Sequence, residues 1–75
     1  MSTIKIIELV GNSTKSWQDA AERAIHDASE SLRHIQEVEI IKQTAVVEGE
    51  RIKEYRTTLH VAFSVEHPSH LIGTK

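Results

Sequence analysis

The stretch RIKEYRTTLHVAFSVE, residues 51–66, alternates in chemistry along its length. Its odd positions Tyr55, Thr57, Leu59, Val61, Phe63 and Val65 are mostly apolar or β-branched, and its even positions Glu54, Arg56, Thr58, His60 and Ser64 are polar. A period of two is the signature of a half-buried β-strand. An antiparallel sheet commonly packs one face on a core and leaves the other free. The odd face is therefore assigned to the fold and the even face to a partner.

Working outward, residues 36–47, QEVEIIKQTAVV, form a second strand, in which Val38 and Ile40 alternate with Glu37, Glu39 and Ile41. Glu48, Gly49 and Glu50 supply a glycine-containing turn between the two, which predicts a hairpin. At the other end of the chain, residues 3–10, TIKIIELV, read as a strand with Ile4, Ile6 and Val10 on one side and Ile7 and Leu9 on the other. Apolar residues on both sides predict that both faces are covered in an assembled protein. Gly11, Asn12 and Ser13 read as the turn that ends this strand. Ser16 followed by Asp19 gives a capping box, and a helix over residues 17–34 follows.

That helix carries an apolar stripe of Trp17, Ala20, Ala21, Ala24, Ile25, Ala28 and Leu32, rich in alanine, so it can lie close on a sheet. Trp17, in phase with the stripe, reads as a packing anchor and not as a cofactor platform. The fold class is α+β, in the order β-α-β-β, with a three-stranded antiparallel sheet packed on one helix. The crossover makes the first two strands parallel in direction, so an all-antiparallel sheet needs the third between them. The helix is expected to cover Leu59, Val61, Phe63, Val38 and Ile40. With unbroken strand parity, the opposite face carries Glu37, Glu39, Ile41, Gln43, Arg56, Thr58 and His60. Its mixture of charges and apolar groups predicts contacts between subunits.

Composition narrows the class. The 75 residues make one domain, residues 1–66, with a flexible tail over residues 67–75. A chain this small buries a modest fraction of its surface and usually needs a staple. Cysteine is absent, which removes disulfides and thiolate metal sites and leaves self-association. A net charge of -2 with 27% charged residues lacks the basic excess of a nucleic-acid binder. No signal-peptide pattern and no membrane-spanning run is present, so the expected location is the cytoplasm and no membrane partner is expected. The histidines His26, His34, His60, His67 and His70 are scattered without compact ligand spacing. Divalent cations could use Glu37, Glu39 or Glu66 where symmetry gathers copies. No nucleophile stands beside a base and no glycine loop could hold phosphate, so an enzyme is not expected.

The chain resembles the dodecins, small β-α-β-β proteins that assemble into hollow dodecamers and mostly bind flavins. The resemblance rests on IIELVGNSTKSWQDA, AERAIHDASESLRHI and, most specifically, the Tyr-x-x-Thr-Leu-x-Val-x-Phe pattern of YRTTLHVAFSVE. It implies a homododecamer that binds a small molecule, riboflavin or flavin mononucleotide in the family's usual form. Flavin-binding dodecins resemble one another in a segment Leu-Asp-Trp-Phe-Glu-Val, whose tryptophan stacks on the flavin ring, and in a glutamine after the tyrosine of the last strand. Here the segment reads Ile35, Gln36, Glu37, Val38, Glu39, Ile40, so Glu37 replaces the tryptophan, and Arg56 follows Tyr55 where the glutamine would be. Stacking is worth roughly a kcal/mol beyond burial, and a carboxylate supplies none of it. The binding positions are thus Glu37, Arg56 and, between them on the strand face, His60. The resemblance implies a dodecin-like shell with weakened flavin binding or, alternatively, one that binds cations or another anionic small molecule at symmetric intersubunit sites.

Overall fold

The computed structural model describes residues 2–66, and its element order is β1 (Ser2–Ser13), α1 (Trp17–Ser29), β2 (Ile35–Glu48) and β3 (Arg51–Glu66). The three strands form one antiparallel sheet in the order β1-β3-β2. The longest strand lies in the middle because both neighbours need a partner running the other way. The tail expected over residues 67–75 lies outside the described residues.

The hairpin forms as its sequence requires. Glu48 pairs with Arg51, leaving Gly49 and Glu50 as a two-residue loop. Gly49 sits at φ 66, a left-handed conformation that glycine adopts without a steric penalty. The helix also starts as expected. Ser16, extended at φ -170, accepts a 2.9 Å hydrogen bond from the Asp19 amide. Trp17 anchors that first turn: its Nε1 donates to the Thr44 carbonyl at 2.8 Å, and its ring meets the Tyr55 ring edge-on at 4.8 Å between centroids.

The helix ends earlier than its apolar stripe. It stops at Ser29, where the Glu30 amide turns back on Asp27 and Ala28, and the Leu32 amide still reaches the Ala28 carbonyl. Leu32 therefore keeps its place against the core without being helical. The chain then reverses through His34 at φ 61, and the His34 carbonyl accepts from Ser64 as β2 begins.

Gly11, Asn12 and Ser13 do not form a turn. They continue β1, paired with Thr57, Arg56 and Tyr55. The reason for glycine at position 11 is the helix: a Cβ there would meet the Ala20 carbonyl oxygen at 2.0 Å. The helix packs on β1 and β3. Ala21, Ala24, Leu59 and Val61 form the centre of the core, and Ile7, Leu9, Ile25, Leu32, Ile35 and Val38 close around it. Phe63 is buried as expected, whereas Ile40 remains 47% exposed because the helix stops short of β2. Thr57 shares the buried face, its hydroxyl donating to the Trp17 carbonyl at 2.8 Å.

Two bulges interrupt β2. Against β3 the register slips between Ile35 and Glu37 and again between Ile40 and Lys42, so Gln36 and Ile41 are extra residues. The second slip corrects the expected face: Gln43 pairs with Thr57 on the helix side, and Lys42 and Thr44 take the free side opposite Thr58 and Arg56. A bulge shifts the alternation by one position, which strict parity cannot foresee.

Candidate functional site

The face of the sheet away from the helix has no covering element among the described residues. The outer strand β1 gives it Ile4, Ile6 and Val10, which are 56%, 60% and 58% exposed. The central strand gives small or polar groups, of which Thr58 and Ala62 are already buried between their neighbours. The other edge carries Glu37 opposite Ala62 and Glu39 opposite His60. This is an apolar band beside an acidic one, with the ridge of β3 between them.

His60 lies midway along that ridge. Its Nε2 is 2.9 Å from Glu8 Oε1 on β1, and its Nδ1 is 3.9 Å from Glu39 Oε1 on β2. Glu8, His60 and Glu39 thus make one row across all three strands, fixed by the pairings Glu8 with His60 and Glu39 with His60. Glu8 is the member that sequence reasoning missed. The available signal was its parity, a lone acid in phase with Ile4, Ile6 and Val10.

Arg56 lies further along β3. Its Nε donates to Glu54 Oε2 at 2.9 Å, and the same oxygen accepts from Asn12 Nδ2 at 3.2 Å. Those two donors, Arg56 first, hold the Glu54 carboxyl below its usual range. Glu37 lies opposite Ala62 and Arg56 opposite Thr44, so the two are separated by six positions of β3, about 20 Å at strand rise. One chain cannot bring them to the same small molecule. Only a second copy could.

All three aromatic residues of the chain, Trp17, Tyr55 and Phe63, belong to the helix side. The free face offers no aromatic platform, so its residues do not fit a stacked isoalloxazine ring. Cations fare differently. Glu37 and Glu39 are exposed on one strand, but among the described residues no three acidic, histidine or cysteine side chains converge on one point. A calcium ion needs six to eight oxygens, which one chain does not assemble. The side chain of Glu66 lies outside the described residues, as do His67 and His70. His26 stays on the helix surface, 3.7 Å from Glu30.

The helix side holds a second polar cluster. Asp19 accepts from Ser13 Oγ at 2.5 Å and from Arg23 Nε at 2.8 Å, and these bonds, Ser13 first, lower its carboxyl below the usual range. The cluster ties the end of β1 to the start of the helix. Its partners are all internal, which marks it as structural.

Residues 3–66 match the family model described as Dodecin. The chain belongs to the dodecin family. It is 34% identical to the calcium dodecin of Mycobacterium tuberculosis, over 87% of this chain and 92% of that protein. It is 32% identical to the dodecin of Thermus thermophilus, over 83% and 90% respectively. Among solved structures, an R45A mutant of the Thermus dodecin superposes with a TM-score of 0.85 at 30% identity, covering 89% of this chain and all of that one. The calcium-chelating dodecin antigen of M. tuberculosis superposes with a TM-score of 0.76 at 34% identity, covering 89% and 94%. The β-α-β-β order and the three-stranded antiparallel sheet are those of dodecin structures. No helix among the described residues is long and apolar enough to cross a membrane.

Proposed function

We propose that the chain is a non-catalytic binding protein that assembles into a hollow homododecamer and holds a small ligand between copies, on the free face of the sheet. The observation that carries this reading is the band of Ile4, Ile6 and Val10, more than half exposed on an outer strand that also leaves backbone groups unpaired. Exposed apolar patches and open strand edges call for a partner. A groove lined by Ile7, Leu9, Ala28 and Leu32 runs beside the same strand, and family membership makes the partner another copy. Glu37, Arg56 and His60 are the proposed ligand-facing positions, approached from more than one subunit.

The ligand is not a stacked flavin in this reading, because Glu37 replaces the platform and no aromatic residue shares its face. A divalent cation is favoured instead. The 34% identical relative is named a calcium dodecin, and the exposed carboxylates of Glu37 and Glu39 are hard oxygen donors that copies could pool. Native mass spectrometry tests the assembly, with a particle twelve times the 8.5 kDa chain as the expected result. Riboflavin fluorescence is expected to survive excess protein. Calcium is expected to raise the melting temperature relative to chelator by linkage to the folded state. A monomer would refute the reading of the assembly, and strong flavin quenching that of the ligand.

A further inference from the structure

The free face of the sheet is divided by charge along its length. With the rungs named by their residue on β3, the rung of Ala62 carries Glu37 and the rung of His60 carries Glu8 and Glu39. The next rungs reverse the sign: Thr58 pairs with Lys42, and Arg56 with Thr44. Lys42 stands on this face only because the bulge at Ile41 advances β2 by one residue. Arg56 meets Glu54 through Nε, and its guanidinium has further donors for a neighbour. The dividing line falls at the level of Leu59.

The central strand is divided by size as well. Thr58 and Ala62 are small and buried between their neighbours, whereas the side chains of Arg56 and His60 are 50% and 34% exposed. Large and small alternate, and a half-turn about the level of Leu59 exchanges them: position 60 goes over 58, and position 62 over 56. A surface that matches its own rotated copy is what an isologous two-fold contact requires.

A second sheet aligned on this face can take one of two directions. With the two-fold axis along the strands, each rung meets its own kind: Glu39 faces the partner's Glu8, and Arg56 faces the partner's Arg56. With the axis across the strands at Leu59, each rung meets its complement. Glu39 faces the partner's Lys42, Arg56 lies over the partner's Ala62 beside the partner's Glu37, and Glu8 keeps its contact with His60. Sheets pack about 10 Å apart, a gap that a glutamate and a lysine span together. Covering the face removes water, and a charge left without a partner is then costly. The second direction alone avoids setting acid on acid.

We infer that the free face is a self-docking surface: a second copy covers it with its strands reversed, about a two-fold axis at Leu59, and Glu39 pairs with the partner's Lys42 on both sides of that axis. The inference rests on the assembly proposed above and adds its register. It also brings Glu37 of one copy to Arg56 of the next, which one chain keeps apart.

Charge reversal tests the register, read by native mass spectrometry of the full chain on dilution in chelator, so that a bridging cation contributes nothing. Glu39→Lys and Lys42→Glu each set like charges face to face, and the concentration for half-assembly is expected to rise by at least about tenfold. Glu39 and Lys42 are also neighbours on one strand, so the two variants are then mixed, one of them isotopically labelled. Across the axis a mixed pair regains both contacts, whereas a contact within one chain stays broken. The mixture is expected to assemble as the parent does, with equal numbers of the two variants in each particle. Should a reversal prevent folding, Glu39→Gln and Lys42→Gln replace it: a mixed pair then keeps one contact where either variant alone keeps none, and equal numbers are again expected. Single variants that assemble like the parent, or a mixture that stays apart or combines at random, overturn the register alone. A parent chain that stays monomeric overturns the assembly reading and the register with it.

Discussion

Replacing Gly11 by alanine adds one carbon where the helix touches the sheet. An ideal Cβ lands 2.0 Å from the Ala20 carbonyl oxygen, 2.9 Å from the carbonyl carbon and 3.0 Å from Ala24 Cβ. Carbon and oxygen rest at about 3.3–3.6 Å, so the first turns of the helix must retreat by more than about 1 Å. The obstacle is backbone, and no rotamer relieves it. Retreat loosens Ala20, Ala21 and Ala24, which are buried against Leu59 and Val61. An extra methylene in a packed core costs about 1–3 kcal/mol, and rigid backbone places this case near the top of that range. In the opposite direction, alanine restricts the unfolded chain and returns about 0.4–1 kcal/mol, since position 11 has no left-handed backbone to lose. The net expectation is a loss of about 2 kcal/mol, equivalent to a fall in melting temperature of about 8–16 °C. Gly49→Ala is the control: nothing lies within 4 Å of its Cβ, and its cost comes only from φ +66, about 1 kcal/mol. Asparagine, which tolerates that conformation, should largely rescue position 49 and worsen position 11. The assay is thermal and urea unfolding of the four variants beside the parent. A Gly11→Ala protein as stable as the parent would refute the close-approach argument.

Truncating Leu59, fully buried at the centre of the core, should cost about 2–5 kcal/mol, read from urea unfolding. Ser16→Ala removes the cap on the Asp19 amide and should cost about 1 kcal/mol, visible in the same measurement. Asp19 is lowered by its bonds to Ser13 and Arg23, and Glu54 by Arg56 and Asn12. Their contribution is therefore complete above the ordinary carboxylate range and lost as pH falls through and below it; melting between pH 5 and 2 should decline less steeply in Asp19→Asn. Glu37→Trp combined with Arg56→Gln restores both of the residues by which flavin-binding dodecins resemble one another, and should turn on riboflavin fluorescence quenching. An unchanged titration would show that more than these two positions separates this chain from the flavin binders.

Much of the architecture was legible because it is set by local rules. The alternation of residues 51–66, the box at Ser16 and Asp19, and glycine in the turn at position 49 each act over a few neighbours, and each is where it was expected. The features that were not legible depend on contacts distant in sequence. Gly11 looks like a turn until Ala20, 9 residues further on in the helix, is placed over it. The apolar stripe keeps its phase through Leu32, but the helix ends at Ser29 and the bond from Ser64 to the His34 carbonyl draws the chain into β2. His60 was singled out while its partner Glu8, 52 residues away, was not, because their meeting depends on strand register. Glu37 and Arg56 share a face as expected, yet their separation along β3 needed the register to be seen.

The bulge at Ile41 works as slack in the strand. Ile40 pairs with Leu59 and Lys42 with Thr58, which are neighbours on β3, so Ile41 occupies no rung of its own. Removing it would close the ladder and leave Val38 and Ile40 on the helix side and Glu37 and Glu39 on the free face. Keeping the residue but ironing the bulge flat would be the damaging change, because one half of β2 or the other would then turn its core side chains to the free face. Ile41 is, in this sense, the punctuation mark that lets one strand spell two surfaces.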